Sequence, residues 1–196
     1  MASAFSHAIV ALALGNAPQH SIMTWQVITL GMFCSIVPDL DVVGFPFGIQ
    51  YEDLWGHRGM THSLLFAALF SATLLGIGFR QEPIRVKIGL FLYLFLCTAS
   101  HGLLDAMTNG GLGVAFFSPF DTTRYFFSWR PVLVSPIGIS EFFNWYGFRV
   151  LASEALWIWL PSCAFYLLLK MGLRYAVPSH PNPSGRTTPP PKFTSC

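Results

Sequence analysis

Five apolar segments that could cross or enter a lipid bilayer constrain this chain more than any other feature. They cover residues 4–17, 22–37, 62–79, 86–104 and 152–172. A membrane-spanning helix needs about 20 mostly apolar residues, with a range of roughly 17–25. Only 10% of the chain is charged, whereas a soluble domain carries about 25% charged residues. The sequence therefore predicts an all-α fold, a polytopic membrane helical bundle of about five spans.

The first two segments need interpretation. The run AFSHAIVALALG could be the apolar region of a signal peptide, but no Lys or Arg precedes it and His7 lies inside it. We therefore expect a retained helix. The second segment is slightly short, and we expect it to stop before Pro38 because proline disfavours helix at the preceding residue.

The basic residues predict an orientation. Arg80, Arg85 and Lys87 lie in the short link RQEPIRVK, and Lys170 and Arg174 close the last segment. Short basic loops favour the cytoplasmic side. We therefore expect a multi-pass membrane protein with two long aromatic loops, 38–61 and 105–151, on the outer face. Residues 1–177 would form the membrane-embedded domain and the Pro-rich residues 178–196 a flexible tail.

With this alternation of segments, the scarce polar side chains fall at one end of the bundle. Their positions are His7, Asp39, Asp41, His57, His62, His101, Asp105 and Glu154. Ionisable residues in or near a membrane are costly, so each is a candidate for a functional site. We expect the two long loops to fold over this cluster.

Each motif in the cluster allows a metal-binding and a structural interpretation. His101 and Asp105 are four residues apart and share one helix face, so they could bind one ion or simply each other. Asp39 and Asp41 could turn towards a cation from an irregular loop, or only cap that loop. His57 and His62 would both point to one place if Gly59 formed a turn and Thr61 capped the next helix.

Several residues have weaker assignments. His7 is equally compatible with a ligand and with a buried core histidine. Glu154 could be a ligand, but a favourable charge at the start of the last helix is the better interpretation. Arg58 offers a planar fork for phosphate or carboxylate, or anchors the chain at the interface. Arg124 and Arg130 would meet lipid headgroups more readily than they would bind a specific phosphate.

The chemistry of these side chains points to a divalent metal. His and carboxylate ligands without thiols suit zinc first, with manganese or iron also possible. The four cysteines lie far apart with no C-x-x-C pair, which argues against a cysteine zinc site or a disulfide framework. The candidates outnumber the four ligands of one zinc, so one or two ions are possible. Whichever carboxylate is not used as a ligand, Asp39 or Asp41, could accept a proton from a metal-bound water.

The order H…PDLD…HRGMTHS…HGLLD over residues 1–110 resembles the bacterial membrane-bound metal-dependent hydrolases described as LexA-regulated, the YdjM-like inner-membrane proteins. The resemblance implies an all-helical hydrolase of the bacterial inner (cytoplasmic) membrane. It also implies a metal site formed by His7, Asp39, Asp41, His57, His62, His101 and Asp105. The H-x-x-x-D pair is similar to that of the zinc-dependent phospholipase C and nuclease group, but a second H-x-x-x-[DE] helix is missing.

Two classes of function remain open, together with a purely structural role for the histidines. The first is a metal-dependent hydrolase of a phosphoester or other ester in a lipid or lipid-linked substrate, with Asp39, Asp41 and Arg58 as catalytic residues. The second is a non-enzymatic metal-binding or transport protein. A net charge of +2 and the lack of a basic face argue against a nucleic-acid partner.

Overall fold

The structure, a computed structural model, describes residues 1–16 and 22–176. Within these residues the protein is all-helical, with two isolated bridges between loop residues and no strand. Its apolar helices are α1 (Ala4–Asn16), α2 (Trp25–Cys34), α3 (Leu64–Gly78), α4 (Ile84–Ala106) and a last helical run that begins at Trp145 and ends at Ala176. The predicted fold class, an all-helical membrane protein, is confirmed.

Three helical runs are long and apolar enough to cross a membrane, namely Trp25–Phe47, Ile84–Ala106 and Trp145–Gly172. The other two apolar helices are shorter, with 13 residues in α1 and 15 in α3. At 1.5 Å per residue they are about 20 and 22 Å long, which is less than the roughly 30 Å of a bilayer core. Each of the five predicted segments contains a helix, but two of these helices are too short for a straight span.

Pro38 does not end the second segment. After α2 the chain continues as a 3-10 helix, Val37–Phe47, with Pro38 near its start. Proline is tolerated there because the first residues of a helix have no intrahelical partner for their N–H groups. The expected irregular loop around Asp39 was therefore wrong, and both Asp39 and Asp41 lie on this 3-10 helix.

The last segment begins seven residues earlier than the predicted residue 152. It consists of α6 (Trp145–Glu154), a π-helical turn (Ala155–Trp159) and α7 (Leu160–Ala176). The Asn144 side chain caps the start of α6 by accepting the N–H groups of Tyr146 and Gly147. Glu154 consequently lies inside the helical run and does not open it, so the predicted N-terminal charge role was wrong.

The main apolar core lies between α1, α2 and α4. Tyr93 of α4 enters this core, with its Oη 3.2 Å from the carbonyl oxygen of Ala11 and 3.3 Å from that of Ile28. A Cβ on Gly31 of α2 would lie 2.2 Å from the same Oη. The absence of a side chain at Gly31 therefore allows α2 to approach Tyr93.

The two long loops pack against each other at one end of the helices. Leu64 N–H donates to Phe116 O at 2.9 Å, and Ala115 N–H donates to Arg58 O at 3.0 Å. The second loop also carries a short helix, α5 (Ile139–Phe142). The predicted tail 178–196 lies outside the described residues, so the proposed division at residue 177 stays a prediction.

Candidate metal centre

Four helices bring polar side chains to the end of the bundle that the two loops cover. His7 lies in the first turns of α1, Asp39 follows α2, and His62 directly precedes α3. His101 and Asp105 occupy the last turns of α4. All five side chains are buried, although the surrounding protein is strongly apolar. The predicted convergence of these five residues is what the structure shows.

The local fold around His62 explains how two loop histidines reach this place. Gly59 lies in a tight turn where a Cβ would be 2.3 Å from Leu54 O, so the turn requires glycine. His62 ends a short 3-10 helix, Met60–His62. The cap of α3 is Ser63, which accepts the N–H of Phe66 at 3.0 Å. The predicted cap at Thr61 was therefore wrong by two residues.

Four of the buried residues present donor atoms that could hold one metal ion. One ligand atom from each lies within 4.8 Å of all the others, and the residues are Asp39, His62, His101 and Asp105. The Nε2 atoms of His62 and His101 are 3.0 Å apart. Asp39 Oδ1 lies 3.2 Å from His101 Nε2 and 3.7 Å from His62 Nε2. Asp105 Oδ2 lies 3.7 Å from His62 Nε2.

These separations agree with the size of a zinc site. A tetrahedral zinc with bonds of about 2.0 Å places its ligand atoms about 3.3 Å apart. Four of the six separations, at 3.0–3.7 Å, bracket that value. The other two pairs, His101–Asp105 and Asp39–Asp105, lie within 4.8 Å. Two imidazoles and two carboxylates are also ligands that zinc accepts.

Unpartnered polar atoms support the same interpretation. Both carboxylate oxygens of Asp39 are buried without a hydrogen bond, as are both ring nitrogens of His7 and Nε2 of His57. A buried polar group without a partner is costly, and in native proteins it calls for an explanation such as an ion. A cation beside Asp39 would satisfy that residue.

His7 lies next to two of the four candidate ligands, His101 and Asp105. Its ring stacks on that of His101 with the centroids 3.8 Å apart. Its Nε2 lies 3.6 Å from Asp105 Oδ1. The residue is therefore placed next to the four candidate ligands, as expected, while not belonging to the four-atom group.

Asp41 and His57 belong to a second group with His62. His57 Nδ1 lies 2.8 Å from Asp41 Oδ1, and His62 Nδ1 lies 3.3 Å from Asp41 Oδ2. The Thr61 hydroxyl donates to Asp41 Oδ2 at 2.8 Å. Asp41 thus contacts the rings on their Nδ1 sides, while His62 Nε2 faces the four-atom group.

Arg58 is completely buried and does not anchor the chain at a surface. Its Nε donates to Asp105 Oδ2 at 3.0 Å, and its terminal nitrogens donate to Gly110 O at 2.8 Å and Thr108 Oγ1 at 2.9 Å. Its backbone has a φ of 65°, which is uncommon outside glycine. The guanidinium therefore fixes Asp105 and ties it to the second loop.

The remaining candidates lie outside the two groups. The Glu154 carboxylate accepts the N–H and hydroxyl of Ser3, each at 2.5 Å, and the hydroxyl of Ser6 at 2.8 Å. Arg124 donates to the carbonyl oxygens of His57, Tyr51 and Asp53, which ties the two loops together. The expected contact of Arg124 with lipid headgroups is therefore replaced by contacts within the protein.

Arg130 also makes a contact within the protein. Its guanidinium carbon lies 4.5 Å from the centre of the Phe126 ring. This is a cation–π distance. This contact with an aromatic ring does not indicate a phosphate site.

The two loop histidines have opposite pKa shifts. Burial opposes the charged form of His62, but the neighbouring carboxylates of Asp39 and Asp41 outweigh this effect and raise its pKa to about 9. Burial dominates at His57 and lowers its pKa, although Asp41 acts in the other direction. These shifts favour the protonated form of His62 and the neutral form of His57 at neutral pH.

Sequence reasoning missed the residues that support the cluster. Ser35 O accepts from His101 Nδ1 at 2.7 Å, and Thr108 connects Arg58 to the backbone of Asp105. Such contacts depend on the three-dimensional packing of α2 against α4 and leave no spacing pattern in the sequence. Thr61 was the one supporting residue that the sequence could have indicated, because it directly precedes His62 in HRGMTHS.

Fold and site together define an all-helical membrane protein with a buried His/Asp cluster that could hold a metal ion. The sequence model of the YdjM inner membrane protein family matches residues 1–177, and the chain belongs to this family.

The chain is also similar to the inner membrane protein YbcI of Escherichia coli (strain K12). The two are 35% identical over 176 residues, which cover 88% of this chain and 96% of YbcI. No solved structure matches the chain significantly.

Proposed function

We propose that this protein is a membrane-bound metal-dependent hydrolase of a phosphoester or other ester in a lipid or lipid-linked substrate. The observation that carries the proposal is the four-atom group of Asp39, His62, His101 and Asp105 with its unpartnered carboxylate. Zinc is the first candidate for these ligands, with manganese or iron as alternatives. A bound zinc ion would supply Lewis acidity and lower the pKa of a bound water towards 7.

The protein's own residues would do the remaining work. His62, His101 and Asp105 would hold the ion, together with Asp39 Oδ1. Asp39 Oδ2 is buried and accepts no hydrogen bond, so it would be free to take up a proton from the attacking water. Arg58 is committed to Asp105, Thr108 and Gly110, and its contribution is to hold Asp105 in place.

The surroundings of the cluster favour a lipid-linked substrate. An open groove of about 510 Å³ lies beside α3 and is lined mainly by apolar side chains, including Leu64, Phe95, Phe116 and Phe120. The backbone N–H of Leu64 donates to the carbonyl oxygen of Phe116, and Leu64 lies two residues after His62. An acyl chain in this groove would place its polar head near the buried cluster.

A non-enzymatic metal-binding or transport role is the second candidate, and one observation favours it. His7, His57, His101 and Asp105 are completely buried. Structural zinc sites are closed, whereas catalytic sites keep a position open for water or substrate. Catalysis would therefore require a movement of the loops that cover the cluster.

The test begins with elemental analysis of detergent-purified protein. The hydrolase proposal expects a stoichiometric divalent metal and the conversion of one member of a panel of bacterial lipids, detected by mass spectrometry. Asp39→Asn should lose both metal and turnover, while Asp53→Asn in the exposed part of the same loop should keep both. A metal-loaded protein that converts no lipid would support the second candidate, and a protein without metal would contradict both.

A further inference from the structure

Asp41 lies behind the candidate ion site and not in it. Its side chain is nearly inaccessible, and its two oxygens already have partners. Oδ1 accepts from His57 Nδ1 at 2.8 Å, and Oδ2 accepts from the Thr61 hydroxyl at 2.8 Å and from Arg58 N–H at 3.3 Å. This is the opposite of Asp39, whose two oxygens are buried without a hydrogen bond.

The hydrogen atoms on this network can be assigned from the chemistry of the partners. A carboxylate only accepts, so the hydrogen between His57 and Asp41 must be on His57 Nδ1. The Thr61 hydroxyl has one hydrogen, which it donates to Asp41 Oδ2. Thr61 Oγ1 can then only accept from His62 Nδ1, which lies 3.0 Å away.

His101 follows the same rule with a different acceptor. Its Nδ1 lies 2.7 Å from the carbonyl oxygen of Ser35, which cannot donate. All three histidines therefore carry a hydrogen on Nδ1. A neutral imidazole with hydrogen on Nδ1 has its lone pair on Nε2, which is the atom that His62 and His101 direct at the four-atom group.

We propose, on the basis of the hydrolase site above, that Asp41 is a positioning residue and that the cluster holds a single ion. With Thr61, Asp41 fixes the hydrogen of His57 and His62 on Nδ1 and orients both rings. The ion binds at Asp39, His62, His101 and Asp105. This departs from the sequence-based assignment of Asp41 and His57 as ligands and of Asp41 as a catalytic residue.

A second ion between Asp41, His57 and His62 is the competing arrangement, because their atoms also lie close together. It would have to displace the hydrogen on His57 Nδ1 and compete with the Thr61 hydroxyl for Asp41. It would also use the Nδ1 side of His62, whose Nε2 is required by the first ion. A carboxylate behind a ligating histidine is instead the common arrangement around a metal, and it raises the basicity of the ligand.

The first test compares metal affinity and stoichiometry in purified variants, titrated with Zn²⁺ or Co²⁺ alone. Asp41→Asn keeps the size of the side chain but removes the charge and one acceptor. We expect one ion per chain in both wild type and Asp41→Asn, with an affinity about 10–100-fold weaker in the variant. Thr61→Val should weaken binding in the same direction by a smaller factor, and Asp53→Asn should bind like wild type.

Two results would overturn the proposal. One is a wild-type stoichiometry of two that falls to one in Asp41→Asn, which would make Asp41 a ligand of a second ion. The other is an unchanged affinity in both Asp41→Asn and Thr61→Val. A wild type that binds no metal would contradict the proposed function itself, so the two failures are distinguishable.

A second measurement needs no substitution in this network. Nitrogen-15 NMR of the metal-free protein distinguishes imidazoles by the nitrogen that carries hydrogen. We expect His57 to have its hydrogen on Nδ1, and the zinc-loaded protein to show the same for His62 and His101. A hydrogen on Nε2 of His62 in the loaded protein would contradict the proposal, even if Asp41→Asn fails to fold.

Discussion

The Nε2 atoms of His62 and His101 lie 3.0 Å apart in the buried end of the bundle. The lone pair of His101 points at His62, because the other nitrogen of His101 donates to Ser35 O. Two lone pairs at this distance would repel each other, so either a hydrogen or a cation must lie between them. The raised pKa of His62 predicts a proton in this position, and a metal ion would replace it.

Replacing Asp39 by Asn should abolish metal binding. The variant keeps the shape of the side chain but offers no negative charge to the ion. A ligand at 1,000 times its dissociation constant stabilises a protein by about 4 kcal/mol, so a chelator should lower the melting temperature of wild type and leave that of Asp39→Asn unchanged. Asp53→Asn is the matched control and should respond like wild type. An equal response of Asp39→Asn and wild type to the chelator would contradict the assignment of Asp39.

Metal affinity should rise with pH. Because the neighbouring carboxylates of Asp39 and Asp41 raise the pKa of His62 to about 9, the ion must displace a proton at any lower pH. The affinity should therefore increase roughly tenfold per pH unit between about pH 7 and 9, and level off above that range. Zinc titrations in buffers of fixed ionic strength measure this slope. A flat profile over that range would show that His62 is not protonated in the ion-free protein.

The same shift predicts the pH dependence of the ion-free protein. The folded-state pKa of His62 is raised above its usual value of 6.5. Its contribution to stability is therefore complete below about pH 6.5 and lost as the pH rises through about 9. In the presence of a chelator, the melting temperature of wild type should fall as the pH rises over this range. His62→Gln should show no such fall.

Arg58→Lys should destabilise the protein, although the substitution keeps the positive charge. The guanidinium donates to Asp105, Gly110 and Thr108 in three directions, and the ammonium of lysine does not reproduce this planar arrangement. Breaking a buried ion pair costs about 3–5 kcal/mol. Chemical denaturation in detergent should show a loss of about this size, whereas Arg85→Lys at an exposed position should show little change. Equal stability of the two variants would argue against the buried role of Arg58.

The sequence predicted which residues meet, because hydrophobic segments in a bilayer alternate in direction. That constraint alone places His7, Asp39, His62 and His101 at one end of the bundle. It carries no information on which atom of each side chain faces the centre. The separate surroundings of Asp39 and Asp41 arise from the 3-10 helix Val37–Phe47, and no spacing rule distinguishes the two carboxylates.

The errors at Pro38 and Glu154 have a common cause. Both followed from locating helix ends by local residue preferences. Pro38 is accommodated because it lies at the start of a new 3-10 helix, and the run from Trp145 extends further because Asn144 caps it. Tertiary contacts then decide the role of each residue, as the hydrogen bonds from Ser3 and Ser6 to Glu154 show.

Glu154→Gln should leave metal binding intact while destabilising the fold. The carboxylate holds the start of α1 through Ser3 and Ser6, and it does not belong to the four-atom group. Gln keeps an acceptor but loses the charge, so a loss of about 1–3 kcal/mol is expected. Elemental analysis should still find the wild-type metal content in the folded fraction. Loss of the ion from folded protein would assign Glu154 to the site.

Gly31→Ala should destabilise the core through a single contact. The new Cβ would lie 2.2 Å from Tyr93 Oη, and overpacking of this kind costs about 1–3 kcal/mol. Tyr93→Phe removes that oxygen, so the double variant should lose less stability than the sum of the two single variants. Gly89→Ala has open space at its Cβ and serves as the control, with an expected gain of up to about 1 kcal/mol. Strict additivity of Gly31→Ala and Tyr93→Phe would show that the contact is not the cause.

The basic link between α3 and α4 predicts the side of the membrane on which the cluster lies. Arg80 and Arg85 in this link are exposed, and the positive-inside tendency assigns them to the cytoplasm. The cluster lies at the other ends of the same two helices and should therefore face outward. In protein with Cys163 and Cys196 replaced by Ala, Glu52→Cys should react with a membrane-impermeant maleimide in intact spheroplasts. Glu82→Cys should react only after lysis, and the reverse pattern would place the cluster on the cytoplasmic side.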